Sequence, residues 1–134
     1  MRRHLFLVAV LLCLSTRAMA QNTCPELFGK ALSINANGHA VNIAASGGLT
    51  ATQPVNGTYT FTETDDSGNP VTIKCNGRHI TFTRGSGSNS QAYDGWMFEK
   101  ILPGDAYRRM GGVFSHGGKQ QYGWHATIAP LPPH

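Results

Sequence analysis

A chain of 134 residues, 40% apolar and 13% charged, can bury one hydrophobic core and no more. The formal net charge is +4, but Arg2, Arg3 and Arg17 supply three of the eleven basic residues, and without them eight basic residues face seven acidic ones, a net +1. That balance excludes nucleic-acid binding driven by phosphate neutralisation; Arg108-Arg109 is a pair, not a patch.

In chain order, Arg2-Arg3 followed by the apolar run Leu5 to Leu14 and by Ala18-Met19-Ala20 has the form of a bacterial export signal cleaved before Gln21. The run is too short to span a bilayer as a helix, so no membrane insertion is expected after cleavage. Cys13 leaves with the signal. The expected plan is a signal peptide over 1–20, one domain over 21–129 and a flexible tail over 130–134. The expected location is periplasmic or secreted. Cys24 and Cys75 then remain, and two cysteines in an oxidising compartment predict one disulfide. It closes about fifty residues, worth about 4 kcal/mol in the chain-entropy model.

A short helical turn is expected over 25–30, where Pro25 suits a first helical position. Beyond it the hydrophobic pattern has period two. Tyr59 and Phe61 alternate with threonines, Val71, Ile73 and Cys75 with Thr72 and Lys74, and Tyr122, Trp124, Ala126 and Ile128 with Gly123, His125 and Thr127. Successive side chains of a strand point to opposite faces, so each run describes a sheet with one buried and one wet face. Strands are expected at 32–34, 40–44, 49–53, 58–63, 71–75, 78–84, 91–100, 107–114 and 122–129. Asn37-Gly38, Asn56-Gly57 and Asn76-Gly77 mark tight hairpin turns, and the segments that follow them read as a weak repeat of one strand-pair unit. Asp65-Asp66-Ser67-Gly68-Asn69-Pro70 is a longer turn; it lacks the glutamate of a calcium loop.

The fold class predicted is all-β: a single antiparallel meander β-barrel of about eight strands, avidin- or lipocalin-like, with a β-sandwich as the alternative. Cys75 shares a face with Val71 and Ile73, so the segment around Cys24 should cross one end of the barrel like a lid.

Strand 91–100 carries rings on both faces, Tyr93 on one and Trp96 and Phe98 on the other. With Tyr107 and Trp124 they make the candidate binding residues Tyr93, Trp96, Tyr107 and Trp124. The glycines Gly111-Gly112 opposite this strand would let a ring lie against backbone. No HxH or HExxH spacing exists, so neither a metal nor a cofactor is expected. No GxSxG element is present, and Asp94 and Glu99 fall on opposite faces of one strand, so no catalytic residue is assigned.

Two fragments resemble the avidin family. Asn56-Gly57-Thr58-Tyr59-Thr60 is similar to the Gly-Thr-Tyr run of an avidin strand, and Trp124-His125-Ala126-Thr127 to the Trp-x-Ala/Ser-Thr near an avidin C-terminus. The resemblance covers about nine residues and implies an exported eight-stranded meander barrel. It does not imply biotin binding, because the Trp-Tyr-Asn and Gly-Ser elements that open the avidin site have no counterpart between Gln21 and Asn42. The leading functional expectation is a non-enzymatic binding module for a small apolar ligand or a partner protein. An envelope-associated assembly protein comes second, and a small hydrolase using His116, Asp94 or Arg109 third.

Overall fold

The computed structural model describes residues 22–130 except 101, 106 and 119. The expected signal, Gln21 and the last four residues of the expected tail, His134 among them, lie outside the described residues.

Alternation becomes architecture strand by strand. The eight strands are β1 (Lys30–Ala36), β2 (His39–Ile43), β3 (Tyr59–Thr64), β4 (Pro70–Asn76), β5 (His79–Arg84), β6 (Gln91–Met97), β7 (Arg109–His116) and β8 (Gln121–Pro130). They form one antiparallel sheet in the order β2-β1-β8-β7-β6-β5-β4-β3. The strands from β3 to β8 are a plain meander, and the first hairpin returns to pair along β8, with Lys30 opposite Pro130 and Ala36 opposite Trp124. The sheet curls into a half-barrel whose free edges touch where Ile43 bridges Asp65 and the Asp66 amide donates to the Asn42 carbonyl.

Below that contact the gap is filled by residues 49–52. Leu49 exchanges backbone bonds with Gly29 and Lys30, and the Thr52 amide donates to Thr60. This segment, expected as a strand, has only isolated bridges at Leu49 and Ala51. It sits in a seam where each neighbouring edge offers it one or two partners, too few for a ladder. Two of the three expected hairpin turns stand where the Asn-Gly pairs put them, and the third lies one residue further on. Asn37-Gly38 and Asn56-Gly57 both take positive φ as turn centres, whereas Asn76 ends β4 opposite His79 and the turn is Gly77-Arg78, with positive φ at Gly77.

The inward positions form one core that includes Leu32, Ile34, Val41, Ile43, Phe61, Ile73, Ile80 and Ile128. One end of the barrel is stoppered. The expected helical turn is a short 3₁₀ turn over Cys24–Leu27 with Cys24 and Leu27 fully buried, and Cys24 is bonded to Cys75. Buried Thr23 donates through both its amide and its hydroxyl to the Gly77 carbonyl. Arg108, 5% exposed, reaches back to Glu26 of the same turn and donates to the Phe98 carbonyl. The lid inferred from the face of Cys75 is therefore in place.

Candidate functional site

The end opposite the disulfide has no such stopper among the described residues. Inside it, cross-strand pairing stacks four rings on adjacent strands: Phe82 on Tyr93, Tyr93 on Phe114, and Phe114 beside Tyr122, with centroid separations of 4.1, 4.7 and 5.3 Å. The register dictates this ladder, since each ring sits directly opposite the next. Trp124 lies edge-on to it, its ring 5.3 Å from Phe82 and 5.9 Å from Tyr93.

Trp124 can lie flat across two strands because those strands present no side chain there. Gly112 pairs with both Gly95 and Trp124. A Cβ on Gly95 would sit 2.6 Å from the indole, and one on Gly112 would sit 2.0 Å from the Asp94 carbonyl oxygen. The indole N–H is satisfied by the Val113 and Asp94 carbonyls at 3.0 and 3.2 Å. The two glycines thus act structurally, as expected for a ring against backbone.

Where the ladder reaches the opening, a cleft of about 380 Å³ lies between β1–β2 and the ends of β5, β6 and β7. Ala36, Val41, Phe114 and Tyr122 supply its apolar surface. Its polar wall is Arg84 and Gln91, with His39 and His116 on the exposed rim. Arg84 Nε donates to Asp65 at 2.5 Å, and Arg84 Nη1 to Gln91 Oε1 at 3.0 Å. The Tyr93 hydroxyl donates to the same Gln91 oxygen at 2.7 Å.

Asp65 anchors this wall from behind. Its side chain is fully buried. It accepts from the Ser67 and Asn69 amides and from the Asn69 side chain. Burial pushes its pKa up, but the hydrogen bonds from Asn69 and Arg84 and the Arg84 charge outweigh it and hold the carboxyl below its ordinary value. Burial raises the Tyr93 phenol, against a smaller opposing pull from Arg84, so the ring keeps its proton and remains a donor to Gln91.

The four candidate binding residues do not converge. Tyr93 and Trp124 are buried inside the barrel, 2% and 4% exposed. Trp96 and Tyr107 are on the outside, 58% and 48% exposed. Trp96 leans against His79 with the two rings tilted by 32°, and the His79 ring bonds Asp94 at 2.7 Å. Phe98, half exposed, lies over Gly111. His116, Asp94 and Arg109 line three separate depressions and form no common site. Among the described residues no three His, Cys, Asp or Glu side chains gather in a metal-binding group.

The sequence marks Asp65 only as part of a turn and does not single out Arg84 or Gln91. The Asp-x-Ser-Gly-Asn order does announce an Asx turn at Asp65, but nothing local announces its ion pair with a residue nineteen positions on. The fold and cross-link define a small, disulfide-bonded, all-β half-barrel closed at one end. No protein family, curated protein or solved structure matches the chain.

Proposed function

We propose that this protein is an exported, non-enzymatic binding module that takes a small, largely apolar ligand at its open end. The observation that carries the reading is the contrast between the two ends: one is stoppered by a cross-linked turn, the other is an aromatic-floored cleft with a few placed polar groups. The Cys24–Cys75 bond supports an oxidising compartment and hence export. The neutral probe N-phenyl-1-naphthylamine tests the cleft. Its emission should rise on mixing with the protein, and Ala40→Trp, which narrows the opening from an exposed position, should abolish the rise. Unchanged emission with the parent protein would remove this reading.

A second reading, docking of a protein partner, is favoured by one feature. Among the described residues, five of the seven exposed large apolar side chains, Trp96, Phe98, Leu102, Tyr107 and Val113, belong to β6, β7 and their connection. Self-association is the simplest form of such docking. Light scattering should then give a mass above the monomer that Trp96→Ser with Phe98→Ser returns to it; a monomer at every concentration would exclude it.

A further inference from the structure

We infer that the ligand of the open cleft carries a carboxylate, and that Arg84 and Gln91 bind it together. This rests on the reading of the open end as a ligand cleft and follows from counting donors and acceptors on its polar wall.

Arginine offers five N–H groups and no acceptor. Arg84 uses Nε on Asp65 and Nη1 on Gln91, and Nη2 has no bond to any described residue. No buried side-chain nitrogen or oxygen among the described residues lacks a partner, so Nη2 is reachable from outside. Because arginine can only donate, the Gln91 atom facing it must be the carbonyl oxygen. That oxygen also accepts from Tyr93, which fills both of its lone pairs. The Gln91 amide nitrogen therefore points away, is unpartnered among the described residues, and is reachable by the same reasoning.

Asp65 has no capacity to spare. One oxygen takes the Ser67 and Asn69 amides, and the other takes Asn69 Nδ2 and Arg84 Nε. The oxygens of Asp65 and Gln91 are consumed internally, the Tyr93 hydroxyl oxygen lies on a buried residue under the influence of Arg84, and the groups left for a visitor on Arg84 and Gln91 are donors. Two N–H₂ groups on one hydrogen-bonded pair of side chains, one of them cationic, suit a planar two-oxygen group. The Phe114 and Tyr122 rings beside them suit an apolar body. His39 and His116 on the rim can donate or accept and oppose neither half.

The probes are 2-naphthoate and its neutral isostere 2-naphthamide, titrated by calorimetry into the intact protein. The acid should bind about tenfold more tightly than the amide, the scale of a hydrogen bond made to a charged group. Gln91→Glu keeps the oxygen that Arg84 and Tyr93 need but replaces the free donor by a charged acceptor. It should weaken the acid by about tenfold or more while retaining the amide, which can donate in return. An unchanged melting temperature shows that the barrel is intact. Equal affinity for acid and amide, or equal loss of both in Gln91→Glu, overturns the carboxylate and leaves the cleft. Binding of neither probe overturns the cleft itself.

Discussion

Asp65 shows how much one buried carboxylate can organise. It closes the β3–β4 turn on itself, fixes Arg84, and through Arg84 orients Gln91. Its pKa is depressed in the fold, so it contributes stability at pH values above the unfolded carboxylate pKa of about 3.9 and loses it as the pH falls below that towards the folded value. Thermal melts should therefore show the advantage of the parent over Asp65→Asn shrinking between about pH 5 and pH 2. A constant gap would mean that the carboxylate is not paired in solution. Removing the cation instead strands the buried anion, and Arg84→Leu should cost about 3 kcal/mol at neutral pH by chemical denaturation. The turn is legible in the residues themselves, but the ion pair and its hold on Gln91 are not. Alternation assigns Phe82 inward and leaves Arg84 at the ragged end of a strand, and only the β4–β5 register brings it beneath the Asp65 turn.

At the scale of the element, the sequence was most informative where one face is uniformly apolar. Strands β4 and β5 begin and end within one residue of expectation because Val71, Ile73, Cys75, Ile80 and Phe82 admit only one register. Strand β6 was expected to run to Lys100 but ends at Met97, since Phe98 turns its amide to the Arg109 carbonyl and leads into the β6–β7 connection. Strand β8 runs one residue further than expected, to Pro130, held by Lys30. The facing glycines of β6 and β7 were legible as space for a ring, but which ring was not, because Trp124 comes from the next strand over. Gly112→Ala should destabilise by about 2–3 kcal/mol, the cost of overpacking against backbone that cannot move aside. Gly123→Ala, where an added methyl meets nothing within 4 Å, should leave the denaturation midpoint almost unchanged.

The whole molecule joins its ends. A residue at the start of the domain and one near its middle share the disulfide, and the first and last strands lie side by side. Replacing Cys24 and Cys75 by serine should lower stability by up to about 4 kcal/mol, the entropy of an open fifty-residue loop. Loss of the stopper should show first as faster amide exchange at Met97 and Met110, which are fully buried near it. A double variant exchanging no faster there would mean that the Arg108–Glu26 contact holds the turn without help.

Strand β1 has Ala31 beside Ala129, a neighbour that the fold acquires only once β8 is in place. The opening hairpin must wait, half-paired, through the making of six further strands. Such late, long-distance pairing belongs to slow-folding topologies. It makes the docking of β8 on β1 the step at which this molecule acquires an inside.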